Sequence, residues 1–126
     1  MPSLEDYEAM LRAMGLRCRR LGDSLVFQVR DRELGEVGLA LTLYPEAGVL
    51  RVAAPLDVEP TEEGLPWYLE ENFSSPTYKY ALDPDGFVAV VYDVPSDWAS
   101  SVRELRSVIL YVVEGVRRLM RRVSPS

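Results

Sequence analysis

The sequence contains no histidine, one cysteine, one lysine, and one copy each of asparagine and glutamine in 126 residues. Without histidine there is no Ser/His/Asp triad, no Cys/His dyad and no HExxH helix. With Cys18 alone there is neither a Cys/His zinc cage nor an internal disulfide. Lys79 is the sole lysine and stands in no Walker loop, and Gly35-Glu36-Val37-Gly38 lacks the third glycine and the strand-turn-helix context of a phosphate cradle. What survives is carboxylate chemistry or no chemistry, so no catalytic residue, cofactor or metal is expected. Long apolar runs are also missing. The nearest, residues 108–116, is interrupted by Glu114 and falls well short of the roughly 20 residues that span a bilayer, so no membrane association is expected. The N-terminal stretch reads as an amphipathic helix with acids in it and not as a charged-then-apolar leader, which points to a cytoplasmic location.

The chain nevertheless has the means to fold. Hydrophobic residues make up 48% and charged residues 27%, and the length suits one domain over 1–126 with a short disordered tail at 124–126. The net charge of −6 is segregated: residues 1–56 carry −1, residues 57–97 carry −9 and residues 98–126 carry +4. An acidic middle repels phosphates, which makes nucleic acid an unfavoured partner. The basic end, Arg117, Arg118, Arg121 and Arg122, suits the last turns of a helix and is the one place where nucleic acid would bind.

Ser3 and Asp6 have the spacing of a capping box, and Leu4, Tyr7, Met10, Leu11 and Met14 recur at helical spacing until Gly15, giving a helix over 4–14. Leu16 and Cys18 suggest a short strand before the turn Gly22-Asp23. Alternating patterns then predict strands over 25–30 and 37–44, and Pro45 to Gly48 closes a hairpin into a strand over 49–54. In the strand over 37–44, Val37, Leu39, Leu41 and Leu43 share one face, and the small face of Gly38, Ala40 and Thr42, with Tyr44, admits close approach by another backbone. An acidic connector leads to Pro66, which fits the first turn of a helix ending near Asn72. Strands over 78–82 and 87–94 flank the turn Asp83-Pro84-Asp85-Gly86. That turn begins like a calcium loop, but its twelfth position is Val94 where a bidentate Glu is required. Ser96, Asp97 or Ser101 can cap a long last helix. On it Trp98, Val102, Leu105, Ile109, Val112, Val116, Leu119 and Val123 form one apolar seam, widened by Val108, Tyr111, Val113 and Met120. The order α-β-β-β-β-α-β-β-α gives an α+β fold, an antiparallel sheet with helices packed on it.

The acids at 57, 59, 62, 63, 70 and 71 are the material for a carboxylate-based hydrolase or a metal-dependent enzyme, although exposed acids near a helix start need no such role. Cys18 lies between Arg17 and Arg19, which on a strand point to the opposite face and leave the thiol buried and inert. Trp67, Tyr68, Tyr78, Tyr80 and Tyr92 favour protein contacts over nucleic acid because of the acidity around them.

The stretch from Glu70-Glu71-Asn72 through the Tyr-rich strand, Asp83-Pro84-Asp85-Gly86, the apolar strand to Pro95 and the final helix resembles the YbjN-like family. That family shares its fold with type III secretion chaperones of the Tir-chaperone class. The element order agrees over residues 3–123, with four strands before the second helix where the secretion chaperones usually have three. The resemblance implies a non-enzymatic protein, commonly dimeric, that binds extended segments of other proteins or acts in regulation. The expectation is therefore a chaperone- or adaptor-like, homodimeric domain binding protein or peptide segments. Trp98, Val102, Leu105, Tyr111, Trp67 and Tyr68 are its candidate interface residues.

Overall fold

The structure, a computed structural model, describes residues 1–123, and the tail expected to be disordered at 124–126 lies outside the described residues. The elements are α1 (Leu4–Ala13), β1 (Cys18–Leu21), β2 (Ser24–Asp31), β3 (Gly35–Tyr44), β4 (Val49–Pro55), α2 (Leu65–Ser74), β5 (Lys79–Leu82), β6 (Val88–Pro95), a short 3-10 helix (Ser96–Ala99) and α3 (Val102–Val123). The six strands form one antiparallel sheet in the order β1-β2-β3-β4-β6-β5. This is the α+β arrangement expected from the hydrophobic periodicity.

Local chemistry sets the element ends. Ser3 and Asp6 form the expected capping box: each side chain accepts from the other residue's main-chain N–H. The first strand lies further along than Leu16 and Cys18 suggested. A two-residue turn at Gly22-Asp23, with Gly22 at φ +61°, closes Leu21 directly against Ser24, so the pairing is anchored at the turn and runs back to Cys18. At the next hairpin Asp31 Oδ2 accepts from the N–H groups of Glu33 and Leu34. At the last, Asp83 Oδ1 accepts from the N–H groups of Asp85 and Phe87, so this carboxylate is spent on its own turn. Ser101 is the cap of α3, donating to Glu104 Oε1 at 3.0 Å and accepting from its N–H at 3.2 Å.

Side-chain alternation divides the sheet into two unlike faces. On the helical side, cross-strand rows such as Leu25–Leu41–Val52–Tyr92 and Leu43–Leu50–Val94 meet α1 and α3. Leu105, Val108, Ile109, Val112, Val113, Val116 and Leu119 of α3 complete the core. Tyr7 of α1 is buried and donates its hydroxyl to the carbonyl of Ser96, locking α1 to the start of the 3-10 helix that follows β6. Burial, helped by Asp97, pushes the Tyr7 phenol up to about 12. On the opposite side, Val26–Ala40–Ala53–Val91 form a row of small residues that no described element covers. The small face read from β3 thus lies on the open side of the sheet.

Candidate protein-interaction surface

The structure separates the six residues that the sequence suggested for an interface. Leu105 is completely buried within the chain, so it is a core residue. Val102, at the first turn of α3, is half-buried. Trp98 is 69% exposed and lies outside α3, on the preceding 3-10 helix, so the continuous seam starts at Val102 and not at Trp98. Tyr111 is exposed and stands edge-on to Tyr92, ring centroids 5.9 Å apart. Trp67 and Tyr68 are half-buried and stack around Tyr80 of β5 at 5.3 and 5.5 Å, while the Arg122 guanidinium covers the Trp67 ring at 5.1 Å. These two aromatics fasten α2 to the sheet and to α3.

Asn72 completes that fastening. Its side chain donates to the Tyr80 carbonyl at 3.0 Å and accepts from the Tyr80 N–H at 2.7 Å, occupying the outer edge of β5 as a neighbouring strand would. Lys79 is drawn to the carbonyls of Asn72 and Ser75 at the end of the same helix.

With its inner side held this way, α2 turns an apolar strip outward. Leu65, Leu69 and Phe73 follow one another at i, i+4 and i+8, and Leu82 lies on the adjacent strand. Leu69 is 67% and Phe73 93% exposed. Leu65, Leu69 and Leu82 also border a shallow apolar groove floored by Tyr80 and Val88. Isolated exposed apolar residues are ordinary, but a contiguous strip of them marks a contact surface. The i, i+4, i+8 spacing was readable in the sequence; the bulkier Trp67 and Tyr68 on the other face of the same short helix drew attention away from it.

The charges are arranged differently from their order along the chain. Arg117 binds Asp31, Arg118 binds Glu71 at 2.6 Å, and Arg121 grips Glu33 through two bonds of 2.7 and 2.8 Å. The Arg117 guanidinium holds the Asp31 carboxyl below its usual range, and Arg121 does the same for Glu33. The basic end of α3 is therefore largely consumed within the chain, which removes the cationic surface that nucleic acid would need there. Cys18 is half-buried, and burial, reinforced by Glu8, pushes its thiol above the ordinary value. Asp57, Glu59, Glu62, Glu63 and Glu70 are exposed, Glu59 and Glu63 sharing a hollow with Arg122. Among the described residues no group of three or more His, Cys, Asp or Glu is placed to hold a metal ion, and no helix is long and apolar enough to cross a membrane.

No family model matches the sequence, and no curated protein matches it. Solved structures do. The type III secretion chaperone SycH of Yersinia pestis, solved with a stable fragment of YscM2, superposes with a TM-score of 0.66 at 18% identity, covering 91% of this chain and 97% of that one. YbjN of E. coli, a candidate transcription regulator, also gives 0.66 at 18% identity, over 91% and 86% of the two chains. The chain has the YbjN-like, secretion-chaperone-like fold. A chain of the HopA1–SchA chaperone–effector complex adds a third likeness, with a TM-score of 0.63 at 14% identity over 93% and 96%. The compared structures are of chaperones, in complexes, and of a regulator.

Proposed function

We propose that this chain is a non-enzymatic, cytoplasmic protein-binding domain of the chaperone or adaptor kind, and that it works as a homodimer closed through the outer strip of α2. The observation that carries the reading is the strip itself: Leu65, Leu69, Phe73 and Leu82 on one surface, with no charge among them. In a two-fold contact a patch meets its own copy, so any charge at its centre faces its like. For a chain at −6, a second copy is accepted only on a face free of charge, and this strip meets that condition.

Protein partners fit the same reading. Two of the similar structures are complexes of chaperones with protein fragments or effectors, and the fold here leaves the apolar strip of α2 open. Trp98 on the 3-10 helix and Tyr111 beside the end of α2 are exposed aromatics at separate places, each of the kind that anchors a protein contact. Trp67 and Tyr68 serve the surface by holding α2 in place, and Leu105 by filling the core beneath α3.

The test is light scattering on the full chain and on Leu69→Glu/Phe73→Glu. The unaltered chain is expected to be a dimer and the variant a monomer with unchanged circular dichroism. A monomeric unaltered chain at high concentration, or a variant that stays dimeric, would defeat the proposed dimer.

A further inference from the structure

The strip on α2 has a projection at one end and a hollow at the other. Of the three phenylalanines, Phe27 is buried and Phe87 half-buried, whereas Phe73 holds its ring 93% exposed and does not line the groove of its own chain. The groove belongs to the far end of the strip. Leu65 and Leu69 of α2 and Leu82 of β5 border it, with Pro60 on its rim and Tyr80 and Val88 beneath. Lys79 bonds to the carbonyls of Asn72 and Ser75, which sets the start of β5 beside the C-terminal end of α2 and brings Leu82 to the Leu65 end. A helical rise of about 12 Å separates Phe73 from Leu65. The groove's volume of about 190 Å³ exceeds the roughly 150 Å³ in which an apolar cavity holds benzene, so it admits one phenyl ring.

We infer that each copy seats its Phe73 ring in the groove of the other, the two α2 helices lying antiparallel about a two-fold axis at Leu69. This rests on the α2 dimer proposed above and names the contact that makes it selective for a second copy. Leu69 stands halfway between Leu65 and Phe73, so an axis there brings each Phe73 opposite the other copy's Leu65 and forms both ring-in-groove contacts at once. A helical side chain leans over the turn that precedes it. In an antiparallel neighbour that direction carries the ring from Leu65 toward Leu69, along the groove wall. Two copies use both projections and both hollows, so the contact closes as a dimer and does not propagate.

Charge selects the same orientation. Lys79, the one cation among residues 57–97, stands exposed at the Phe73 end, and Glu62 and Glu63 stand exposed just before α2 at the Leu65 end. Antiparallel helices set the Lys79 of each copy toward the other's Glu62 and Glu63, whereas parallel helices set like charges together. A partner with no apolar ring at the matching position leaves the groove to water, and one with a carboxylate there buries a charge among leucines.

The test mixes isotope-labelled and unlabelled full chains and records nuclear Overhauser contacts that cross from one copy to the other. Contact is expected between the Phe73 ring protons of one copy and the Leu65 and Leu82 methyls of the other. In sedimentation, Phe73→Ala should raise the dimer dissociation constant roughly a hundredfold, about tenfold for each ring lost, and Phe73→Leu should raise it less. Because Phe73 is exposed, neither variant disturbs the fold of the single copy. Benzene should shift the Leu65, Leu82 and Val88 methyls of the Phe73→Ala protein and leave those of the unaltered dimer in place, since its grooves are filled. A dimer in which Phe73 meets the other copy's Phe73, in which the ring makes no contact across copies, in which Phe73→Ala dissociates no more readily, or in which benzene reaches the groove as easily as in the variant would overturn the inference and leave the α2 dimer standing. A monomeric unaltered chain, or a Leu69→Glu/Phe73→Glu variant that stays dimeric, would overturn the dimer and this inference with it.

Discussion

Tyr80 donates its phenolic O–H to the main-chain carbonyl of Gly115, 2.6 Å away, joining β5 to the middle of α3 inside the core. The contact exists because α3 lies so close to the sheet at this point that a Cβ on Gly115 would fall 2.6 Å from Val90 Cγ1 and 2.7 Å from Tyr78 Cδ2. Gly115→Ala gains helix propensity but forces the helix off the sheet. A net loss of roughly 1–3 kcal/mol is expected, read by urea or thermal unfolding. Tyr80→Phe keeps the packing and removes one hydrogen bond, at a cost of about 1 kcal/mol.

Leu105 and Trp98 belong to one apolar series in the sequence and to opposite environments in the structure. Leu105→Ala should cost roughly 2–5 kcal/mol, because a fully buried leucine leaves a cavity behind. Trp98→Ser should change stability by no more than about 0.5 kcal/mol. Paired unfolding curves check both, and a large effect of Trp98→Ser would mean that its ring is packed.

Asn72 holds α2 against β5 through both polar atoms of its amide, so Asn72→Ala should loosen the helix before the rest of the sheet. In a Trp98→Phe background the remaining tryptophan is Trp67, which packs on Tyr80. Its emission should shift to the red in the Asn72→Ala protein at a temperature where the far-ultraviolet signal is unchanged, with about 1–2 kcal/mol lost overall.

Acid should weaken the fold through Asp31 and Glu33, whose folded pKa values are held low by Arg117 and Arg121. A depressed carboxyl pKa contributes stability that is fully present above the unfolded value, near about 4, and that disappears as pH falls through the lower folded value. Asp31→Asn should therefore be less stable than the unaltered chain at neutral pH, by about 1 kcal/mol, and the two should converge in acid. Denaturant midpoints measured from pH 7 down to about 2 test this.

Cys18 offers a simple check on its surroundings. Its raised thiol pKa leaves little thiolate at neutral pH, so a disulfide reagent should react more slowly than with a free cysteine, and the rate should keep climbing above pH 9.

The element order was legible in the sequence because alternation, caps and turns all agree locally, as at Ser3 with Asp6 and at Asp83 to Gly86. The resemblance read from the second half of the chain agrees with the folds found for SycH and YbjN. The surface was less legible, for reasons that lie beyond local pattern. Trp98 fits the seam by count, but Ser101 starts the helix after it and leaves the indole outside. Leu105 is apolar and helical, as an interface residue would be, and only the depth of α3 in the sheet makes it core. The arginines of the α3 terminus are far in sequence from Asp31, Glu33 and Glu71, so their neutralisation depends on tertiary contacts that no spacing rule carries. Among the described residues the arginines left without an ion pair are spread over the β1 and β2 region and α3, with Arg103, Arg106 and Arg122 among them.

The strand order has a consequence for reach. β1 and β5 end the sheet on opposite sides, five strand spacings apart, or about 24 Å at the usual separation. If two copies join beside β5, their β1 edges face outward at the far ends of the assembly, roughly 50 Å from each other. A single partner engaging both ends would need a connecting stretch of at least about 15 extended residues, and a shorter one would be limited to one end at a time. Linker length in the partner, independent of any contact it makes, would then set whether binding gains avidity.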